Sequence, residues 1–299
     1  MDRTTPGSGH TDIEVIWLEH RQRVLDVAYR LLGSVSEAED AVQDAYARLL
    51  RTDLSAIDDV RGWLVTVTSR LCIDRLRRHE HSRRAYVGPW LPEPVASVSG
   101  RDDPSDQITL DDSVRMALLV VLEQLTPAER TAFVLHDVFG VPFEQVGDAV
   151  GRSPQACRQL ASRARRRIES DSAATRFVVD RVEHEKVVER FAMACEHGDM
   201  DELVQVLATD VVGDFDSGGA IPGAPLTELD GAVPVARQLV RSLSRRDVEF
   251  AVADVNGDPG VVVSANERVL AVIAVGIYAG RIDRVHGVGN PAKLGHLQP

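Results

Sequence analysis

Residues 141–168 read VPFEQVGDAVGRSPQACRQLASRARRRI, two short helices joined by a tight turn. Pro142 suits a first helical turn, where a missing N–H costs little. Phe143, Val146, Ala149 and Val150 then fall on one face at helical spacing. Gly151 stands where a left-handed C-terminal residue is wanted. Ser153 before Pro154 reads as N-cap and first helical residue, so a second helix opens after a three-residue turn. In that helix Cys157, Ala161, Ala164 and Ile168 point inward, while Gln155, Arg158, Gln159 and Ser162 point out. Arg163, Arg165, Arg166 and Arg167 follow. Amides and guanidinium groups near the start of a recognition helix read base edges, and later cations grip phosphate. A helical hairpin with a solvated arginine face is the alternative. Turn, caps and polarity agree on a helix-turn-helix.

Such a helix sits oddly in a chain of 299 residues with a formal charge of −12. The excess is local. Residues 1–84 carry 13 basic and 14 acidic side chains, 85–110 carry 1 and 4, 111–170 carry 8 and 8, and 171–299 carry 12 and 20. The arginines bunch at 70–84 and 158–167, so local fields rather than net charge do any nucleic-acid work. Cys72, Cys157 and Cys195 lie far apart on apolar helical positions without CxxC spacing. Buried thiols in a reduced cytosol are expected, with no metal site and no cofactor. The N-terminus MDRTTPGSGHTD has no secretory core and no run approaches 18 apolar residues, which points to a cytoplasmic protein away from membranes.

Residues 13–84 read as nearly all helical. A first helix stops at Gly33, Ser36-Glu37-Ala38-Glu39 reads as a capping box, and Ala38, Ala41, Val42, Ala45 and Leu49 mark a buried face. A polar loop at 52–60 precedes a third helix with Trp63, Leu64, Val67, Leu71 and Leu76, which runs out into Arg75, Arg77, Arg78, Arg83 and Arg84. Trp63 shares that apolar spacing and reads as a core residue before a stacking platform. Residues 85–110 hold four prolines and form a linker, yet Tyr86, Trp90 and Leu91 are too apolar to stay solvated and should dock. Two more helices fill 111–139, the second opened by Thr126-Pro127-Ala128-Glu129. A second connection at 171–176 leads to helices at about 178–197 and from about Met200. β-rich runs follow at 248–255, 261–265, 269–277 and 282–288, so the tail reads as a small α+β domain with an antiparallel sheet.

The order of these pieces resembles an extracytoplasmic-function sigma factor, a promoter-recognition subunit of bacterial RNA polymerase. AYRLLG (28–33), AEDAVQDAYARLL (38–50) and RGWLVTVTSRLCIDRLRR (61–78) are similar to that family's sigma domain 2, placed here at 13–84, and 111–170 resembles sigma domain 4. The tail at 177–299, with GDMDELVQVLATDV (198–211), is similar to a SnoaL or ketosteroid-isomerase-like domain. YVGPWLPEPV (86–95) and NPAKL (290–294) resemble a subgroup that carries such a tail in place of a separate anti-sigma protein. That subgroup often has a DGGGK-like motif where this chain reads Asp216-Ser217-Gly218-Gly219-Ala220, without the basic residue.

The resemblance implies promoter recognition and transcription initiation with core RNA polymerase, without catalysis. It implies that Asp40, Gln43, Asp44 and Arg48 meet the polymerase clamp, and that sigma domain 4 meets the flap of the beta subunit. Arg70, Arg75, Arg77 and Arg78 are candidates for the opened minus-ten strand, since unstacked bases and displaced phosphates need cationic support. Gln155, Arg158 and Gln159 are candidates for minus-thirty-five readout, with Arg163, Arg165 and Arg166 on phosphate. Tyr86, Trp90, Asp216, Asn290, Pro291, Lys293 and Leu294 are the candidate regulatory contacts. An acidic tail tethered beside arginine-rich domains acts at high effective concentration. Asp214, Asp216 and His286 are the groups an enzyme-like tail would use, but no paired acid–base spacing shows in sequence, and each reads as a loop carboxylate or surface imidazole. The free protein is expected to be a monomer, with room for an unidentified small ligand in the tail. An isomerase-like enzyme fused to a DNA-binding module and a stand-alone repressor are the competing readings.

Overall fold

The structure, a computed structural model, describes residues 8–97, 108–109, 112–170, 180–243 and 248–299. The expected connection at 171–176, the start of the tail's first helix before residue 180 and the middle of the linker lie outside the described residues, as do the side chains of Arg83 and Arg84. The chain divides into two compact units: Met1–His79 with Gln107–Thr109 and Leu125–Arg165, and Glu80–Asp106 with Leu110–Gln124 and Arg166–Pro299. The stretch read as one sigma domain 4 is therefore shared between them.

The first unit is helical. α1 (Ser8–Leu32) stops at Gly33, and α2 (Val35–Leu49) follows at once. Its N-cap is Ser34, whose hydroxyl accepts the Glu37 N–H, so the cap lies two residues earlier than the Ser36 box expected from sequence. Ser34-Val35-Ser36-Glu37 offers the same spacing, and Val35 is needed in the core, which pulls the start forward. α3 runs Val60–Arg84 and buries Leu64, Val67, Cys72 and Leu76. α4 (Met116–Glu123) belongs to the second unit. α5 (Pro127–Phe133) opens with the full Thr126–Glu129 capping box and widens into a π turn, Val134–Val138. α6 (Phe143–Val150) and the longer α7 (Pro154–Ser170) complete the helix-turn-helix.

Buried polar bonds fasten the first unit. The Arg130 guanidinium, 2% exposed, donates to Leu31 O at 2.9 Å, and Arg23 donates to Phe139 O at 2.9 Å. Arg30 pairs with Asp26 at 3.4 Å and donates to Thr109 O at 2.9 Å, while Asp26 accepts both the N–H and the hydroxyl of Thr109. The linker's far end is thus tied down by an arginine–carboxylate pair inside the helical core.

The second unit is α+β. α8 (Arg181–His197), α9 (Met200–Val206) and α10 (Ala232–Leu243) accompany β1 (Leu207–Asp216), β2 (Leu229–Asp230), β3 (Glu249–Val255), β4 (Asp258–Ala265), β5 (Arg268–Tyr278) and β6 (Arg281–Val288). The strand order is β2-β1-β6-β5-β4-β3. An antiparallel sheet was expected, but β1 pairs parallel with β6. β1 hid in the sequence because a register shift between Leu207 and Val212 breaks its alternation.

Both faces of this sheet are apolar, as its continuous valine runs require. Val261, Val263, Ile273, Val275 and Val285 face the core made with Phe191, Leu203, Val235 and Leu239 of the helices. Their neighbours Val262, Val272, Ala274 and Val288 face a second core, covered by Leu91 and Ala96 of the linker, Met116 of α4, and Leu294 and Leu297 of the chain's end.

Candidate functional site

The turn of the helix-turn-helix is set by two glycines. Gly151 has φ +73°, and its N–H bonds Gly147 O at 2.9 Å. At Gly147 a Cβ would come within 2.7 Å of Arg152 O, so only glycine admits the chain there. Ser153 Oγ accepts the Ala156 N–H, which caps α7 as expected. Cys157, Ala161, Ala164 and Ile168 are buried, while Gln155, Arg158, Gln159 and Arg163, Arg165 and Arg166 are exposed along one helix. Arg158 lies over the Phe143 ring at 5.2 Å and 3.5 Å from Glu144, which aims it from the base of α6. Arg163 holds Glu129 at 3.0 Å, and Arg165 holds Asp137 at 3.0 Å. Burial raises the Asp137 pKa, and Arg165 works against that rise.

Asp40, Gln43, Asp44 and Arg48 share the exposed face of α2. Arg75, only 17% exposed in its side chain, reaches Asp44 at 2.7 Å and Asp40 at 3.7 Å. A candidate strand-binding cation is thus neutralised by two candidate clamp residues. Arg70 donates twice to Asp148 O at the end of α6, at 2.7 and 3.1 Å. Arg77 and Arg78 are exposed.

In the second unit, Asp216 at the end of β1 is 1% exposed and gathers four donors. Tyr86 Oη–H reaches it at 2.5 Å, Leu91 N–H at 2.9 Å, Gly218 N–H at 3.1 Å and Lys293 Nζ at 2.6 Å. Lys293 also donates to Leu91 O and sits 3.7 Å from the Trp90 ring centroid. Asn290 Nδ2 donates to Tyr86 Oη at 2.7 Å, and its Oδ1 caps the turn Pro291–Lys293. Burial lowers the Lys293 pKa and Asp216 holds it up; burial and the Asp216 carboxylate both raise Tyr86. The cation that meets Asp216 is Lys293, from outside the glycine-rich motif. Gly218 has φ +57° and a Cβ there would meet Asn290 Nδ2 at 2.4 Å, so the glycines admit Asn290. Pro291 is exposed; Leu294 is buried in the second core.

Asn256 stands before Gly257, a local turn signal. It is fully buried at φ +53°, accepts the Val95 N–H at 3.1 Å and donates to Val114 O at 2.9 Å, and its own N–H bonds Val95 O at 2.7 Å. It joins the linker to the residues that open α4. An Asn before Gly carries that local signal, but its partners lie more than 140 residues away.

Asp214 and His286 are not the loop carboxylate and surface imidazole expected. They are 7% and 4% exposed, directly opposed in the β1–β6 register, with Nδ1 3.3 Å from Oδ2. Parallel pairing across 72 residues makes this acid–imidazole couple, which spacing cannot show. A mostly apolar cavity of about 260 Å³ lies between α10 and the sheet, with Gln238 and Ser242 among its few polar groups. Cys72, Cys157 and Cys195 are free and buried, and burial pushes Cys195 up to about 12. Among the described residues no His, Cys, Asp or Glu cluster could hold a metal, and no helix is long and apolar enough to cross a membrane.

Comparison with known proteins agrees with this layout. Residues 16–82 match Sigma-70 region 2, and residues 115–168 match Sigma-70, region 4. The chain is 40% identical over 294 residues to a probable ECF RNA polymerase sigma factor, SigI of Mycobacterium tuberculosis, covering 97% of this chain and 98% of the relative. It is 38% identical to the ECF sigma factor SigJ of the same species, covering 92% and 90%. The crystal structure of M. tuberculosis SigJ superposes with a TM-score of 0.74 at 35% identity, covering 95% of this chain and 98% of that one.

Proposed function

This chain belongs to the extracytoplasmic-function RNA polymerase sigma factors, and from that premise we propose how its residues divide the work. As a sigma factor it joins core RNA polymerase at promoter DNA to begin transcription, and its relatives are not enzymes. We assign Gln155, Arg158 and Gln159 to base edges of the minus-thirty-five element and Arg163, Arg165 and Arg166 to its phosphates. Their exposure along α7 supports this. Region 4 meets the beta flap in this reading. Arg70, Arg75, Arg77 and Arg78 hold the opened minus-ten strand, while Asp40, Gln43, Asp44 and Arg48 dock on the clamp. The Arg75 pairing adds a sequence of events: clamp groups that engage Asp40 and Asp44 release Arg75 for phosphate.

The tail regulates this activity. The observation that carries the reading is the buried Asp216–Lys293 pair, which grips the linker through Tyr86, Trp90 and the Leu91 backbone. Asn290 and Leu294 complete the grip, and Pro291 sets the turn. We place the protein in the cytoplasm beside its polymerase, a monomer when free. A small ligand in the apolar cavity would act only by favouring one arrangement over another. The test is transcription in vitro with core polymerase, comparing the full chain with its Lys293→Met and Asp216→Asn variants. Altered promoter output with helical content intact is expected. Unchanged output, with Trp90 fluorescence showing the linker released, removes the regulatory assignment.

A further inference from the structure

Buried imidazoles almost always find a hydrogen-bond partner, so those without one call for explanation. His184 Nε2 and both ring nitrogens of His286 are buried and without a partner, and their residues are 7% and 4% exposed. His286 Nδ1 stands 3.3 Å from Asp214 yet out of line for a hydrogen bond. Both rings line one small cavity of about 60 Å³. It lies apart from the apolar cavity of the tail and from the Asp216–Lys293 cluster. It is lined by Arg115, Met116 and Ala117 at the start of α4 and by Ala274 and Gly276 of β5, two small residues. Arg284 is also in the lining.

The start of α4 bears on what this cavity takes. Arg115 occupies the N-cap but lends the first turn no side-chain hydrogen bond. A helix N-terminus carries partial positive charge and outward N–H groups, which suits an anion. The four charged residues that line the cavity balance: Arg115 meets Asp258 at 3.2 Å, and Asp283 neighbours Arg284. What that pairing leaves unsatisfied are three imidazole nitrogens, each a donor when it carries a proton, and the helix end. An acceptor-only ligand satisfies the helix end and every ring nitrogen that carries a proton, whereas a cation would face the positive helix end.

We propose that this cavity binds one small oxyanion of sulfate or phosphate size, held by the first turn of α4, Arg115, Arg284 and the imidazoles of His184 and His286. The ion ties together α4, α8 and β6, three elements from distant parts of the sequence. α4 opens the segment that matches region 4. The ion therefore strengthens the hold of the tail on region 4, a consequence that rests on the regulatory reading above. The site itself does not. Binding also draws a proton onto an imidazole, because an anion opposes the burial that lowers the His184 pKa. The groups that face the two rings are Arg115 of α4, Asp258 of β4, Asp283 and Arg284 of β6, Asp214 of β1, and Arg181 and Glu185 of α8.

The experiment uses the full chain with ¹⁵N-labelled histidine, titrated with sodium sulfate against sodium chloride at matched ionic strength. Sulfate keeps one charge across the range, so any pH dependence belongs to the protein. The ring nitrogens of His184 and His286 are expected to shift together along one saturation curve, with Kd rising up to about tenfold per pH unit from pH 6 to 7, as uptake of one proton requires. His184→Leu is expected to weaken sulfate at least tenfold, and His184→Gln, which keeps a donor, to weaken it less. Phosphate and acetate arms tell a tetrahedral oxyanion from a carboxylate. Rings that ignore sulfate, rings that move equally in chloride, or a Kd unchanged by His184→Leu overturn the site. Sulfate that binds but leaves transcription in vitro unchanged overturns the regulatory consequence alone.

Discussion

Lys293 shows how much hangs on one buried side chain. Its ammonium is paired with Asp216 at 2.6 Å and its residue is 7% exposed, so removing either charge strands the other. Stranding a buried charge costs about 3–5 kcal/mol, while replacing the whole pair is often near neutral. Lys293→Met is therefore expected to destabilise the second unit more than the double variant Lys293→Met/Asp216→Asn, as denaturant midpoints of the full chain will show. His184 gives a separate pH effect. Burial holds its imidazole below the ordinary value of 6.5, and Arg115 and Arg181 push the same way against Asp258 and Glu185. The folded group thus binds protons less readily than the unfolded one, so its contribution is complete above pH 6.5 and fades as the pH falls below it. In chloride buffer the second unit should melt at lower temperature at pH 5.5 than at pH 7.5. His184→Gln should lose part of that difference.

At the scale of elements, α7 sorts its cations by position. Arg158 sits within the first turns, steadied by Phe143, where a side chain reaches base edges. Arg158→Ala is expected to cost about 1–3 kcal/mol at a matched promoter and to relax discrimination at one base pair. Arg163→Ala should weaken every sequence alike and lower the salt slope by about one. Competition binding of the holoenzyme to matched and altered promoters separates the two outcomes. The helix-turn-helix was legible because its signals are local: a glycine turn, a serine cap and an apolar face within 28 residues. Tyr86, Trp90, Asp216, Asn290 and Lys293 came together only through resemblance, since no spacing rule links residues 77 to 204 apart. Asn256, the Asp214–His286 couple and the parallel β1–β6 pair escaped for the same reason. No helix was expected at Ala232–Leu243, where Pro234 in the first turn sacrifices no hydrogen bond.

For the whole molecule, the linker is fastened at both ends by different machinery. Its start is held in the second unit by Asp216, Lys293 and Asn256, through Tyr86, Leu91 and Val95. Its end is held in the first unit at Thr109 by Asp26 and Arg30. Each anchor joins main-chain or hydroxyl groups to a buried ion pair, so each is strong when intact and costly when half removed. Two compact units with separate cores need not unfold in one step, and a single stability value does not describe such a chain. Asp26→Ala removes the carboxylate that pairs with Arg30, a residue 2% exposed. It is expected to lower the stability of the first unit by about 3–5 kcal/mol. Lys293→Met should act on the second unit alone. Chemical denaturation followed at single tryptophans assigns the two, with Trp17 or Trp63 reporting the first unit and Trp90 the second. If both substitutions move both signals equally, the anchors form one cooperative lock, and release of the linker at either end frees the whole chain for the polymerase.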